Sequence, residues 1–212
     1  MQARRGVRLR FLLPVGGITD HRFGILTSPG HKGVPVGIRD GMKWAADNGV
    51  YSGTFDAENY VPWLQTMQEY AETCLFVLAP DVVGDAVATL EQYKEWEHTI
   101  KEMGFPVGFA AQDGSENIGL PAAFDALFVG GTTRWKLSAA ALSVIQRAQR
   151  MSKHIHIGRV NAWKRYAFFR GLPGSESWTC DGTRTRFDGT EKTVKLWAKY
   201  QRQAYTRRLE LT

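Results

Sequence analysis

Short apolar runs alternate with segments of helical periodicity along most of this chain. Eight runs have the length and composition of β-strands, and they cover residues 7–13, 34–38, 44–46, 75–79, 107–111, 126–129, 154–157 and 178–180. The second and third runs have the weakest pattern. Strands that alternate with helices usually form a parallel sheet through right-handed crossovers. The pattern therefore predicts an α/β protein.

Four helices are predicted between and after the later strands, from apolar residues spaced three and four positions apart. Asp56 and Asp85 are the predicted N-caps of the first two, Gly104 ends the second, and the last follows Asp188. The apolar faces, which are expected to cover the sheet, consist of Val61, Leu64, Met67 and Ala71; of Val87, Leu90, Tyr93, Trp96, Ile100 and Met103; of Leu137, Ala141, Val144, Ile145 and Ala148; and of Val194, Trp197 and Tyr200.

Eight parallel strands predict closure into a compact, trimmed (β/α)8 TIM-like barrel, with residues 1–212 as one domain. Barrels of this class usually have about 250 residues, so some helices must be reduced. The reduction is expected near the N-terminus, because residues 14–40 show little helical periodicity. An open doubly wound sheet is the alternative, but no Gly-x-Gly-x-x-Gly turn follows the first strand to support it.

Polar residues and glycines stand where several predicted strands end. Asp47, Asp81 and Asp181 occupy three of these positions, Gln112 a fourth, and the pair Gly130-Gly131 a fifth. The C-terminal ends of barrel strands share one face, so these groups are expected to surround one pocket. Converging carboxylates indicate general acid/base or nucleophilic chemistry, although Asp-Gly and Asp-Asn pairs taken singly are typical of turns. An amide beside an open glycine backbone suits the hydrogen-bonding edge of a nucleobase.

The net charge of +6 is distributed unevenly. From Arg134 to the end, 17 Lys and Arg stand against 5 Asp and Glu, whereas the rest has 10 against 16. A basic part on an acidic body is expected for a polyanion partner, with a solvated surface as the alternative. Aromatic residues interleaved with the basic ones favour nucleic acid, because such rings can stack on bases. They are Trp135, Trp163, Tyr166, Phe168, Phe169, Trp178 and Trp197.

Basic and amide side chains also follow the last two predicted strands, where barrel enzymes often bind phosphate. Candidate phosphate or nucleic-acid contacts are Arg159, Asn161, Lys164 and Arg165 after the seventh strand, and Arg184 and Arg186 after the eighth. An Arg-phosphate contact there would place a nucleotide backbone beside Asp181.

His154 and His156 face the same side of the seventh strand, as two metal ligands would. They begin that strand and thus lie toward the floor of the barrel, and no other His-rich segment accompanies them. They are predicted to be structural, so neither a metal nor another cofactor is expected.

Composition restricts the setting. The chain is 43% hydrophobic, yet it has no run of about 18 apolar residues for a membrane span and no apolar segment near its start for a secretory signal. Cys74 and Cys180 are predicted to be buried thiols in a reducing cytoplasm, with a disulfide as the alternative.

At the strand-end motifs the chain resembles the tRNA-guanine transglycosylase superfamily. It is most similar to the DNA-acting branch, which exchanges guanine for 7-deazaguanine bases in phage and bacterial DNA. The similarity runs in order from residue 44 to 187. The matching blocks are residues 47–53 (DNGVYSG), 79–85 (APDVVGD), 111–114 (AQDG), 128–131 (FVGG), and 156–161 (HIGRVN) followed by 181–183 (DGT).

The resemblance implies a retaining glycosyl transfer. Asp181 would attack C1′ of the nucleotide, and Asp47 would transfer protons. The base, such as guanine or a 7-deazaguanine, would be held by Asp81, Gln112, Gly130, Gly131 and Tyr51. The nucleotide would be flipped or single-stranded, because C1′ cannot enter a pocket from within a base stack.

Differences from the family leave three alternatives. The tRNA-acting members carry a Cys-rich zinc subdomain and often a separate RNA-binding domain, and neither has a counterpart here, so DNA is favoured over tRNA. If no replacement base is held, water would take the sugar and leave an abasic site. The protein would then be a DNA glycosylase, for example one that removes modified phage bases in anti-phage defence. A barrel that binds nucleic acid without catalysis is the third alternative.

Overall fold

Eight parallel strands pair in chain order, and the last returns to the first to close a barrel. The computed structural model describes residues 9–14, 19–183 and 188–209. The strands are β1 (Arg10–Pro14), β2 (Gly24–Thr27), β3 (Trp44–Ala46), β4 (Cys74–Leu78), β5 (Val107–Ala111), β6 (Ala126–Val129), β7 (His154–Ile157) and β8 (Thr179–Asp181). The predicted (β/α)8 TIM-like barrel is confirmed, and the open doubly wound sheet is excluded.

Helices follow most of the later strands and cover the outside of the barrel. They are α1 (Val36–Arg39), α2 (Ala57–Gln65), α3 (Ala86–Glu102), α4 (Ser115–Ile118), α5 (Thr133–Lys136), α6 (Ala139–Arg150), α7 (Trp163–Arg170) and α8 (Thr190–Leu209), with 3-10 turns at Gln68–Thr73 and Ser175–Ser177. The predicted caps are confirmed. Asp56 accepts from the N–H of Glu58, and Asp85 from the N–H of Ala88, each at 3.0 Å.

The prediction of the second strand at residues 34–38 is wrong. That segment leads through Pro35 into the one-turn helix α1, whereas β2 lies about ten residues earlier. Gly24 is required in β2, because a Cβ there would lie 2.6 Å from Leu12 Cδ2 and 2.7 Å from the Lys43 carbonyl oxygen. A glycine weakens the strand signal of so short a run. The expected trimming is confirmed between β2 and β3, where α1 is the only helix.

The predicted third helix is interrupted near its start. Leu137 is the C-cap of α5 and is partly exposed, and α6 then begins after the Ser138 cap. The remaining apolar residues of the stripe are buried as predicted: Ala141, Val144, Ile145 and Ala148.

Side chains of the strands alternate between two apolar layers. The barrel interior contains Leu12, Leu26, Ala45, Phe76, Leu78, Ala110 and Ala126. The larger layer lies between the strands and the helices. There Phe11 of β1 stacks on Trp197 of α8 with ring centroids 3.7 Å apart, so α8 covers the seam where β8 meets β1. Both cysteines are buried free thiols, as predicted. No helix in the described ranges is long and apolar enough to cross a membrane.

Candidate active site

The three predicted carboxylates lie together on the C-terminal face of the barrel. Asp47 follows β3, Asp81 follows β4, and Asp181 is the last residue of β8. Their proximity is visible in the electrostatics, since the negative charges of Asp181 and Asp81 both help to raise the pKa of Asp47. The arrangement matches the expectation that strand ends bring distant residues to one site.

Asp181 is held through one of its two carboxylate oxygens. The backbone N–H of Arg159 donates to Oδ1 at 2.7 Å, and Nε2 of His156 lies 3.4 Å from the same oxygen. Among the described residues, no group donates to Oδ2. The side chain is nearly buried, with the residue 8% exposed. Asp181 is therefore a fixed carboxylate with one oxygen unengaged, as a nucleophile requires.

Asp47 titrates near neutral pH. Burial, with smaller contributions from the nearby carboxylates of Asp181 and Asp81, raises its pKa from the ordinary value of 3.8 to about 6. The N–H of Gly49 donates to its Oδ1 at 3.1 Å and opposes the shift. A carboxyl group with a pKa near 6 can both donate and accept a proton at physiological pH, as a general acid/base must.

Asp81 is held between two amide side chains. Asn48 donates to its Oδ1 at 2.8 Å, and Gln112 donates to its Oδ2 at 2.5 Å. Burial raises the pKa of Asp81, while these two donors and the positive charge of Arg159 act in the opposite direction. Asn48 also donates to the carbonyl of Ala79, which fixes the loop after β3 against the end of β4.

The predicted base-binding groups bond to one another. Oε1 of Gln112 accepts from the N–H of Gly131 at 3.0 Å and from that of Gly84 at 3.3 Å. The N–H of Gly130 donates to the carbonyl of Ala111 at 2.9 Å. Glycine at position 131 has φ +46°, and a Cβ there would meet Trp135 Cε3 at 2.5 Å. A nucleobase that bonded to these groups would have to replace hydrogen bonds that already exist within the site.

Arg159 crosses the mouth of the barrel. It has a left-handed φ of 58°, its Nη2 donates to the carbonyl of Gly131 at 2.6 Å, and its guanidinium carbon lies 4.4 Å from the centre of the Tyr51 ring. Tyr51 follows β3 and Arg159 follows β7, which are opposite strands of an eight-stranded barrel. The exposed ring and the guanidinium thus form a cation–π pair above the carboxylates.

The other predicted basic and amide contacts have different surroundings. Asn161 joins the loops after β7 and β8, donating to Thr183 Oγ1 at 2.9 Å and accepting from the Thr183 N–H at 2.8 Å. Arg165 donates to the carbonyl of Arg159 at 3.0 Å, and Lys164 is exposed at the start of α7. Arg184 and Arg186 lie outside the described residues.

The interleaved aromatic residues are mostly core. Trp135, Tyr166, Phe169, Trp178 and Trp197 are buried, while Trp163 and Phe168 pack partly buried against the same core. These aromatic residues are close to basic residues in the sequence, but their rings do not lie on the binding face. They therefore do not support the prediction of base stacking.

Two site residues were not predicted. His156, expected to be structural, reaches Asp181 as described above. Lys136 is 2% exposed and donates to the carbonyl of Gly158 at 2.7 Å. Gly158 and Arg159 share one peptide unit. Its carbonyl accepts from Lys136, and its N–H, which belongs to Arg159, donates to Asp181. Burial lowers the pKa of Lys136 to about 7, with the positive charge of Arg159 contributing. No sequence pattern around Lys136 indicates this role.

The described part of the chain has no group of three or more His, Cys, Asp or Glu side chains that could hold a metal ion. The whole chain matches no protein-family model, no curated protein and no solved structure.

Proposed function

We propose that this protein cleaves or transfers an N-glycosidic bond in DNA, with Asp181 as the nucleophile and Asp47 as the general acid/base. The observation that carries the proposal is the asymmetry of Asp181. Both of its polar neighbours among the described residues approach Oδ1, so that none of them occupies Oδ2, and a second carboxyl group whose pKa is about 6 lies nearby. Two carboxyl groups with different environments and different roles are characteristic of glycosidic-bond chemistry.

In the first step, Oδ2 of Asp181 forms a bond to C1′ as the bond from C1′ to the base nitrogen breaks. The bonding electrons leave with the base, and protonated Asp47 neutralises it by donating its proton. In the second step, Asp47 takes a proton from the incoming group, whose lone pair forms the new bond to C1′ and releases the Asp181 carboxylate. The nearby carboxylates stabilise the positive charge that develops on the sugar.

DNA is proposed as the substrate because of the charge on the rim and the depth of the site. Arg159, Lys164 and Arg165 follow β7, the neighbour of the strand that ends in Asp181, and belong to the basic C-terminal part of the chain. Positive groups there would hold phosphates, while the carboxylates lie at strand ends that a stacked nucleotide cannot reach. The substrate nucleotide is therefore flipped or unpaired.

The incoming group defines two candidate reactions. Base exchange, with guanine or a 7-deazaguanine as the incoming group, is the first and follows the family resemblance. Hydrolysis to an abasic site is the second. One observation favours hydrolysis. Gln112 accepts a hydrogen bond from the Gly131 N–H and donates one to Asp81, so a replacement base would compete with these internal hydrogen bonds. Water needs no such pocket.

Mass spectrometry of bases released from DNA tests the proposal. Natural and modified DNAs are incubated with the protein, with and without free guanine or 7-deazaguanine, and the strands are probed for abasic sites. Release that requires an added base indicates exchange, and release without one indicates hydrolysis. Asp181→Asn is expected to lose at least about a thousandfold in rate, whereas the exposed control Asp40→Asn retains it.

The alternative of a non-catalytic DNA-binding barrel makes a different prediction. Binding would be salt-sensitive and unchanged in Asp181→Asn and Asp47→Asn, and no DNA of the panel would lose a base. That combination, obtained with variants whose circular dichroism matches the unmodified protein, would refute an enzymatic role.

A further inference from the structure

We infer that His156 is a positioning residue for Asp181 and that its neutral, Nε2-protonated form is fixed by a chain of hydrogen bonds through Thr179 to His154. The inference rests on the proposed function only for its consequence on turnover. The chain of contacts itself is a property of the barrel interior.

The three residues are brought together by strand register. His156 of β7 pairs with Thr179 of β8, so their side chains point to the same side of the sheet, and His154 lies two residues earlier on the same face. The Thr179 hydroxyl is 2.8 Å from Nε2 of His154 and 2.8 Å from Nδ1 of His156. Nε2 of His156 then faces Oδ1 of Asp181 at 3.4 Å.

One arrangement of protons satisfies every contact while His156 stays uncharged. A carboxylate only accepts, so Nε2 of His156 must carry the hydrogen that points to Asp181. Nδ1 of a neutral His156 is then an acceptor and takes the Thr179 hydroxyl hydrogen. The hydroxyl oxygen in turn accepts from Nε2–H of His154. The chain therefore runs in one direction, from His154 to Asp181.

Aromatic side chains enclose the ring of His156. Its side chain is fully buried between Phe128, stacked with ring centroids 4.8 Å apart, and Phe76, edge-on at 5.2 Å. Burial also lowers the pKa of the adjacent His154 to about 4, which leaves that ring neutral at physiological pH.

Other charged groups around Asp181 belong to different elements. The cations are Lys136 of α5 and Arg159 after β7, and Asp47 after β3 is the nearby anion. A neutral imidazole supplies a donor to Asp181 without adding charge to the site. The consequence is a fixed orientation: Oδ1 is held by His156 and by the Arg159 N–H, and Oδ2, which has no donor among the described residues, is the oxygen that would meet the substrate.

The test is the protonation state of His156 measured by ¹⁵N NMR on histidine-labelled protein at about pH 7. The chain has 5 histidines, and the His156→Gln spectrum identifies the signals of position 156. We expect the Nε2–H form in the unmodified protein and in Thr179→Ser, which keeps the hydroxyl. Thr179→Val, which keeps the volume, is expected to reduce the ratio of Nε2–H to Nδ1–H by about fivefold, the factor equivalent to one hydrogen bond.

A His156 that is Nδ1-protonated or doubly protonated in the unmodified protein overturns the inference, and so does an unchanged ratio in Thr179→Val. If that variant does not fold, the spectrum of the unmodified protein still decides. The effect on turnover is measured separately, from the pH profile of kcat/KM. The pH at which kcat/KM falls on the acidic side is expected to be higher in Thr179→Val and unchanged in Thr179→Ser. Absence of any activity with the expected tautomer refutes the proposed function alone, whereas activity with a different tautomer refutes this inference alone.

Discussion

Replacing Asp47 by Asn isolates the energetic consequence of assembling three carboxylates in one buried site. A pKa raised from 3.8 to about 6 means that the folded protein holds the Asp47 proton more tightly than the unfolded chain does. The folded state therefore loses stability as pH rises through the interval between these two values. At a pH above both, the loss is about 3 kcal/mol, since each pKa unit corresponds to about 1.4 kcal/mol.

Asn removes this ionisation but retains the Oδ1 that accepts from the Gly49 N–H. Asp47→Asn is therefore expected to stabilise the protein by up to about 3 kcal/mol at about pH 7.5 and by close to zero at about pH 4. For a domain of 212 residues, the gain at higher pH corresponds to a rise in Tm of about 6–12 °C. Activity should be lost in the same variant, because the proton donor is gone.

The assay is urea and thermal unfolding at both pH values for the unmodified protein, Asp47→Asn and the exposed control Asp40→Asn. The control should show no pH-dependent gain. Equal effects of Asp47→Asn at the two pH values, or a loss of stability at the higher one, would refute the raised pKa of the carboxyl group at position 47.

Three further predictions concern the loops that build the site and the helix that supports it, and urea unfolding measures each. Gly131→Ala should cost about 2–4 kcal/mol of stability, because its backbone is left-handed and the added Cβ would meet Trp135. The control Gly33→Ala, with φ +72° and open space around it, should cost only about 1 kcal/mol. Equal costs would contradict the packing argument. Asn48→Ala should cost about 2–3 kcal/mol, since it removes the side-chain donor to Oδ1 of Asp81 and to the carbonyl of Ala79, and the exposed Asn117→Ala should be neutral. Ser152, at φ 56° after α6, should be more stable as Gly than as Ala by about 1 kcal/mol, and the opposite order would show that its backbone is not left-handed.

Much of the barrel could be predicted because its later strands and helices follow local rules. Apolar periodicity and the capping residues Asp56 and Asp85 are signals that lie within a few positions of the element they specify. β2 escaped prediction because it has four residues and starts with a glycine selected for close packing against Leu12 and Lys43. No local pattern reports such a contact between distant segments.

The same distinction applies to the site. Asp47, Asp81 and Asp181 could be identified because barrel topology gathers every strand end on one face, whatever the side chains are. His156 lies at the site because of the register of β7 against β8. Lys136 lies there because it donates to the carbonyl of Gly158, 22 residues further along the chain. Neither relation can be obtained from the spacing of residues in the sequence.

The Arg159–Tyr51 pair illustrates a related limit. Both residues are predicted from the sequence to contact the nucleic acid or its base, and each lies on the C-terminal face of the barrel. Their contact with each other across the mouth of the barrel, however, follows only from the placement of β3 opposite β7.

Intact-protein mass spectrometry after a rapid acid quench tests most directly whether Asp181 attacks the sugar. With a DNA oligonucleotide that loses its base to the enzyme, we predict a covalent protein–DNA species whose attachment maps to Asp181 after proteolysis. The species should be absent from Asp181→Asn. Full base release by Asp181→Asn, or an adduct attached to a different residue, would contradict the assignment of Asp181 as the nucleophile.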